Sequence, residues 1–103
     1  MVKDFEDLKP ETQRILKGIK AVPYGQVSSY RDIALRAGLI KGARQVARAL
    51  HGLSESHHLP WWRIIRSDGT IGMHGEGRLE QIRLLKLEGV EVTDRGKVKL
   101  KEK

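Results

Sequence analysis

Apolar residues recur at helical spacing in three stretches of the first half of the chain, with turn residues between them. The first predicted helix extends from about Phe5 to Lys20 and is followed by Pro23-Tyr24-Gly25. The second extends from Ser29 to Gly38, and the third from Gly42 or Ala43 to His51. The inward-facing positions are predicted to be Phe5, Leu8, Ile15, Ile19, Ile33, Ala34, Ala37, Ala43, Val46, Ala47 and Leu50.

The second and third predicted helices are short and joined by a tight turn with glycine, which is the outline of a helix-turn-helix. Ser29-x-x-Asp32 has the spacing of a capping box at the start of the pair. The later helix of such a pair is usually the one presented to DNA. On that helix Arg44, Arg48 and His51 lie at i, i+4 and i+7 and share one cationic face. Two interpretations of this face are open: a solvated surface, or a surface that contacts phosphates or a DNA groove.

Short apolar segments separated by turn residues predict β-hairpins in the second half of the chain. One hairpin is predicted around Asp68-Gly69, with Leu59 to Arg66 on one side and Thr70 to Gly72 on the other. A glycine-rich loop from Gly72 to Gly77 then precedes a fourth helix that ends at Gly89. Its inner face is predicted to be Leu79, Ile82 and Leu85, with Leu84 beside them. A terminal hairpin is predicted from Val90, Val92, Asp94-Arg95-Gly96, Val98 and Leu100.

The length of 103 residues, of which 39% are apolar, predicts a single small domain over residues 1–103. Lys and Arg number 20 against 13 Asp and Glu, so the net charge of +7 favours a polyanionic partner, nucleic acid before an anionic membrane surface. Cysteine is absent, which excludes disulfides, thiolate metal sites and thiol nucleophiles. No apolar run has transmembrane length, and the N-terminus lacks the apolar core of a signal peptide. We therefore expect a cytoplasmic, nucleoid-associated monomer that does not bind membranes.

Pro60-Trp61-Trp62-Arg63 is the most informative stretch, because the two Trp are adjacent in a chain with only two Tyr and one Phe besides. Two interpretations are weighed: both Trp are core residues, or they form the wall of a site beside the glycine-rich loop. In a strand they would face opposite sides, so only one would reach the site. A Trp face is a stacking platform for a nucleobase. His57 and His58 have no acidic or Cys partner at ligand spacing, so we expect neither metal nor cofactor.

Over about residues 5 to 92, the chain resembles the DNA-binding, active-site domain of the O6-alkylguanine-DNA alkyltransferases. The resemblance implies a mostly α fold with small β-hairpins, in which the helix-turn-helix belongs to a winged-helix-like domain. It also implies binding in the minor groove and flipping of a damaged guanine into a pocket. The motifs that carry it are Pro23-x-Gly25-x-Val27-Ser28-Ser29-Tyr30-x-x-Ile33-Ala34, Ala43-Arg44-x-Val46-x-x-Ala49-Leu50, Pro60-x-x-Arg63-Ile64-Ile65, Ser67-x-Gly69-x-Ile71-Gly72 and Leu84-Leu85-x-x-Glu88-Gly89-Val90.

The sequence departs from that family at the reactive position. The family transfers the alkyl group to the cysteine of Pro-Cys-His-Arg, and here Trp61 and Trp62 stand at the Cys and His positions. An indole is not a nucleophile comparable with a thiolate at neutral pH, and no other cysteine exists. The pattern therefore resembles the alkyltransferase-like branch, whose members have Trp at the cysteine position. These proteins bind alkylated guanine without repairing it and pass the lesion to nucleotide excision repair. Most of that branch retains the His, so Trp62 is a further departure.

The resemblance also implies roles for individual residues. Tyr30 would press against the target phosphate and help rotate the nucleotide, or else pack on the first helix as an ordinary helix-start residue. Arg44 would enter the base stack, where its planar, charged guanidinium replaces the extruded base. Trp61 would be the floor of the lesion pocket and contact the alkyl group, and Arg63 would brace the site. The other candidate DNA-binding residues are Ser29, Gln45 and Arg48, and the other candidate pocket residues are Tyr30, Met73, His74 and Gly75.

Two further positions have alternative interpretations. Glu88 matches the family's glutamate behind the Cys-His pair, and without those partners we expect a structural role for it, paired with Arg63. His74 would read the base or a phosphate, or would be a solvated loop residue.

The sequence thus predicts a non-enzymatic sensor of O6-alkylguanine. Its expected partners are double-stranded DNA that contains alkylated guanine and proteins of nucleotide excision repair. The alternative is a general helix-turn-helix regulator, which explains the charge and the short helices but not Pro60-Trp61-Trp62-Arg63. A hydrolase or transferase that uses His57, His58 or Glu88 has no recognisable nucleophile beside a base.

Overall fold

The computed structural model describes residues 4–99. In that range the predicted class, mostly helical with a little β-structure and a helix-turn-helix, is confirmed. The helices are α1 (Pro10–Lys20), α2 (Tyr30–Arg36), α3 (Ala43–Leu53) and α4 (Gly75–Leu87). The strands are β1 (Ser28–Ser29) and β2 (Ile64–Ile65), and 3-10 turns occupy Phe5–Asp7 and Trp61–Arg63. We call the second of these the Trp61 turn.

The first helix begins later than its apolar pattern predicts. Phe5–Asp7 is a separate 3-10 turn, and Lys9 has extended backbone with ψ 147° before α1 starts at Pro10. The proline ring disfavours helical backbone at the residue before it, so a helix cannot run continuously through Lys9. Pro10 itself suits the first helical position, where a backbone N–H has no partner within the helix.

The helix-turn-helix consists of α2 and α3, which pack against α1 around the first core cluster. The Ser29 Oγ accepts a hydrogen bond from the Asp32 backbone N–H at 3.0 Å, which confirms the predicted cap. Gly38 follows α2 with φ +79°, a backbone conformation that favours glycine. In α3, Ala49 is buried and Ala47 is exposed, so the predicted inward position of Ala47 is wrong. The buried stripe of α3 is Val46, Ala49 and Leu50.

The hairpin predicted around Asp68-Gly69 is limited to a tight turn. The Gly69 N–H donates to the Arg66 carbonyl at 2.9 Å, and the Arg66 N–H donates to the Thr70 carbonyl at 3.0 Å. Instead of pairing with Thr70 to Gly72, β2 pairs in parallel with β1, with Ser28 opposite Ile64 and Ser29 opposite Ile65. Both residues of β2 are buried, since Ile64 belongs to the first core cluster and Ile65 to the second. A strand covered on both faces has no polar alternation to reveal its partner.

The terminal hairpin is confirmed as far as the structure describes it. Val92 and Val98 form an antiparallel bridge, and the Thr93 N–H donates to the Lys97 carbonyl at 2.8 Å. Leu100 lies outside the described residues. The strand partner of Thr70 is Lys97, so this hairpin covers the segment that follows the Asp68-Gly69 turn.

The fourth helix begins at Gly75, inside the predicted glycine-rich loop, and its buried residues are Gln81 and Leu85, of which only Leu85 was predicted. Leu79 is 69% exposed, whereas Gln81 is 1% exposed. The Gln81 side-chain amide donates to the carbonyls of Trp62 and Ile64, both at 3.1 Å. Buried carbonyls need hydrogen-bond donors, and Gln81 supplies one to the Trp61 turn and one to β2. A polar residue therefore takes the inner position that the apolar pattern assigns to Leu79, and it ties α4 to the Trp61 turn.

Candidate nucleic-acid interface and pocket

The outer face of α3 carries exposed cationic side chains. Arg44, Arg48 and His51 are all exposed on this face, as their spacing predicts. Within residues 4–99, Arg44 and Arg48 have no hydrogen-bond or ion-pair partner, so both guanidinium groups are available to an external anion. Gln45 is placed differently, because its side-chain amide donates to the Glu11 carboxylate on α1 at 3.1 Å. Ser29 has its Oγ engaged in the α2 cap.

An open cavity of about 640 Å³ lies beside this cationic face. It lies between the second half of α3, the Trp61 turn and the segment before α4. The lining residues are Tyr30, Ala47, Arg48, Leu50, His51, Gly52, Ser54, Trp61 and Met73. We call this cavity the pocket. Its walls are mainly apolar, with cationic groups on the α3 side, which suits a flat, partly apolar ligand such as a nucleobase.

The structure brings together some of the predicted pocket residues and separates others. Tyr30, Trp61 and Met73 line the pocket. His74 and Gly75 are exposed at the start of α4 and do not line it. Arg63 is engaged elsewhere, by groups described below. The sequence did not predict five of the lining positions, which are Ala47, Leu50, His51, Gly52 and Ser54. The sequence signal that could have located them was the cationic face of α3, which continues along the helix toward these residues.

Tyr30 begins α2 and is half-buried against the first core cluster. Burial raises the pKa of its phenol, and the nearby positive charge of Arg66 offsets only part of that increase. The hydroxyl therefore keeps its proton at neutral pH and can donate a hydrogen bond, for example to a phosphate oxygen.

The two adjacent Trp side chains face different parts of the molecule. Their rings meet edge to face, with centroids 6.0 Å apart and planes at 88°. Trp61 packs against the first core cluster and lines the pocket, while Trp62 packs against the second cluster. Trp61 thus lines the pocket and Trp62 does not, and a 3-10 turn rather than the strand considered in the sequence analysis directs them to different sides.

Glu88, the residue after α4, accepts hydrogen bonds from three residues in two separate segments, the Trp61 turn and the turn before β1. Its carboxylate accepts from the Trp62 indole N–H at 2.7 Å, from Arg63 Nη2 at 2.8 Å and from the Gly25 backbone N–H at 2.9 Å. Arg63 Nε donates to the same carboxylate at 2.9 Å. The expected pairing of Arg63 with Glu88 is thus confirmed. We call Glu88, Arg63, Trp62 and the Gly25 N–H the Glu88 cluster.

The Glu88 cluster is shielded from water, with side-chain exposures of 14% for Arg63 and 6% for Glu88. The Arg63 guanidinium also donates to the Val22 carbonyl at 3.0 Å and lies over the rings of Trp62 and Tyr24. Burial acts to raise the pKa of Glu88, but hydrogen bonds from Arg63, Gly25 and Trp62 outweigh it and hold the pKa below its ordinary value. The carboxylate is therefore ionised at neutral pH, and its hydrogen bonds with Trp62 and Arg63 hold the Trp61 turn in place.

Residues 10–90 match the family described as 6-O-methylguanine DNA methyltransferase, DNA binding domain. The chain belongs to this family. Two relatives place it with the alkyltransferase-like members. Alkyltransferase-like protein 1 of Schizosaccharomyces pombe is 38% identical over 91 residues, which cover 84% of this chain and 84% of that protein. A DNA base-flipping protein of Vibrio parahaemolyticus is 40% identical over 89 residues, which cover 86% of this chain and 89% of the relative.

A solved structure agrees with this placement of the alkyltransferase-like chain. Atl1 of S. pombe in complex with damaged DNA containing O6-carboxymethylguanine superposes with a TM-score of 0.73 and 33% identity. The match covers 97% of this chain and 93% of that one. Among residues 4–99, no helix of this alkyltransferase-like protein combines the length and hydropathy needed to cross a membrane.

In this alkyltransferase-like protein, the two positions that distinguish it from the cysteine-containing members have separate tasks. Trp61, at the acceptor position, presents its ring to the pocket. Trp62, at the position of the family's His, supplies an N–H to Glu88. The Trp62 indole is therefore a hydrogen-bond donor to the Glu88 carboxylate. Unlike an imidazole, it cannot act as a base, because the indole nitrogen only donates.

Proposed function

We propose that this protein is a non-enzymatic sensor of O6-alkylguanine in double-stranded DNA. The α3 face binds in the minor groove, Tyr30 and Arg44 help to extrude the damaged nucleotide, and the pocket receives its base. The observation that carries this proposal is the pocket itself, which lies beside unpaired cationic side chains and has Trp61 where the family has its acceptor cysteine. The relatives named for base flipping, and those solved with DNA, support it.

The absence of alkyl transfer follows from composition. The sequence contains no cysteine, so no thiolate can accept the alkyl group. A protein that binds the lesion without removing it leaves the repair to another system. We propose that the bound, distorted DNA is handed to nucleotide excision repair, which removes lesions without needing to reverse them.

Preference for damage has two physical sources. Extruding a base costs a few kcal/mol, and a base with weakened pairing costs less to extrude. An alkyl group buried against Trp61 or Met73 adds about 0.8 kcal/mol for each CH₂. Phosphate contacts from α3 add affinity for any duplex and no discrimination.

The test compares two duplexes that differ only by a single O6-methylguanine, at one stated salt concentration. We expect the lesion duplex to bind about tenfold more tightly, since the weakened pair and the buried methyl group both favour it. Equal affinity for the two duplexes would instead identify a general helix-turn-helix protein. A methyl group transferred to the unmodified chain would contradict the non-enzymatic part of the proposal.

Gly52→Phe is expected to abolish lesion discrimination without unfolding the protein. Gly52 lines the pocket near the end of α3, and a Cβ at this position meets no heavy atom within 4 Å. A phenyl ring there fills the space that the extruded base would need. We expect the ratio of affinities for lesion and undamaged duplexes to fall to about one, while melting temperature changes little.

Gly52→Ala is the matched control for this variant. It adds one methyl group to the same open space and should keep the affinity ratio within about twofold of the original. A full affinity ratio in the Phe variant would show that the base does not enter this pocket.

A further inference from the structure

The charged side chain that lines the pocket is a cation. Arg48 lines it from α3 beside His51, and no Asp or Glu is among the lining residues. The remaining walls near them are apolar, with Ala47 and Leu50 on α3 and Trp61 opposite. The pocket thus has an apolar interior and a cationic border.

A second cation lies next to this border. Tyr30 directly follows β1 and Arg66 directly follows β2, and the pairing of Ser29 with Ile65 brings the two together. The Arg66 side chain packs over Gly72, where a Cβ would lie 3.0 Å from Arg66 Nε. The positive charge of Arg66 also acts to lower the pKa of Tyr30, against the larger effect of burial.

The negative end of the α3 dipole lies on the same side and opposes these cations. Its effect is equivalent to about half an elementary charge and is confined to the last turn. Ser54 reduces it further, because its hydroxyl donates to the Leu50 carbonyl. Arg48 carries a full charge and has no partner in the described part of the chain. The cationic side chains therefore dominate the field at the border.

We infer that the pocket prefers O6-alkyl adducts that end in a carboxylate over neutral adducts of the same size, and that Arg48 supplies this preference. The inference rests on the proposed function. A guanidinium binds a carboxylate through two parallel hydrogen bonds, which a neutral amide of the same shape cannot match. The related Atl1 complex contains O6-carboxymethylguanine, so an adduct of this class is compatible with the fold.

The test uses three duplexes of one sequence that carry guanine, O6-carbamoylmethylguanine or O6-carboxymethylguanine at the same position. The two adducts are nearly isosteric and differ in charge. We expect the unmodified protein to bind the carboxymethyl duplex about fivefold more tightly than the carbamoylmethyl duplex. Arg48→Gln should reduce this ratio to about one, and Arg48→Lys, which keeps the charge but cannot make the two parallel hydrogen bonds, should retain part of it.

Arg36→Gln is the control for loss of one positive charge. Arg36 is exposed on α2 and does not line the pocket. Its substitution should therefore lower the affinity for all three duplexes by a similar factor and leave the ratio of the two adduct affinities unchanged. If Arg48→Gln likewise lowers the affinity for all three duplexes by the same factor, Arg48 is a phosphate contact and the inference is wrong. A ratio of one in the unmodified protein also overturns it. The proposed function fails separately, if the carbamoylmethyl duplex binds no more tightly than the undamaged one.

Discussion

Glu88→Ala is expected to lower the free energy of unfolding by about 3 to 5 kcal/mol, the cost of breaking a buried ion pair by removing one partner. The Arg63 guanidinium would stay shielded from water with its charge uncompensated, and the Trp62 and Gly25 N–H groups would lose their acceptor. Urea denaturation of the unmodified and variant proteins measures the difference. An unchanged slope with a lower midpoint would show that stability alone has changed.

Glu80→Ala is the matched control, because Glu80 also pairs with an arginine, Arg83, but at an exposed site. Exposed pairs contribute little, so this variant should unfold close to the unmodified protein. If Glu88→Ala costs no more than Glu80→Ala, the Glu88 cluster does not hold the Trp61 turn.

The contribution of Glu88 is also expected to depend on pH in one direction. Its pKa in the folded protein lies below the ordinary glutamate value, so the unfolded chain takes up protons first as pH falls. The stabilisation that Glu88 contributes is complete above about pH 4.3, which is the ordinary pKa of glutamate in an unfolded chain. It is lost as the pH falls through the lowered pKa of Glu88 in the folded protein. The difference between the unmodified protein and Glu88→Ala should therefore be constant near neutrality and narrow in acid.

Trp61→Cys with Trp62→His is expected to transfer a methyl group from O6-methylguanine DNA, whereas Trp61→Cys alone transfers little or none. A free thiol with a pKa of about 8.5 is only about 3% thiolate at pH 7, and Trp62 provides no base. A His at position 62 can take the thiol proton, and Glu88, already 2.7 Å from the side-chain nitrogen at that position, can orient the imidazole.

The single and double variants are compared by measuring the mass of the intact protein after incubation with the lesion duplex, because transfer adds the mass of one methyl group. Trp62→His alone is the control and should gain no mass, as should the unmodified protein. Equal transfer by the single and double cysteine variants would contradict the role assigned to position 62. Melting curves show whether either variant has lost its fold, since Trp61 packs against the first core cluster and Trp62 against the second.

The parts of the fold that depend on neighbours in sequence were predictable. Ser29 caps α2 three residues before its donor, and Gly38 ends it, so both signals are local. The parts that depend on distant contacts were not. The pairing of β2 with β1 has no signature in a buried Ile-Ile dipeptide, and the burial of Gln81 depends on the distant carbonyls of Trp62 and Ile64. Leu79 is exposed because Gln81 and Leu85 set the rotation of α4.

The candidate site divides in the same way. The family resemblance located Trp61, Tyr30 and Met73, which the structure brings to one pocket. It did not reveal Gly52, whose lack of a side chain matters only because space opens beside it. The hydrogen bond from Trp62 to Glu88 was also hidden, because an indole and a carboxylate 26 residues apart have no spacing rule that connects them.

The position of Glu88 near the end of the described chain affects the order in which the protein can fold during synthesis. The helices α1 to α3 pack against one another around the first core cluster, and all three are synthesised before residue 88. The Glu88 carboxylate must then close loops of 63 residues to Gly25 and 26 residues to Trp62. Because a domain of this size folds as a unit, a nascent chain can complete the Glu88 cluster, and with it the fixed position of the Trp61 turn beside the pocket, only once residue 88 has been synthesised.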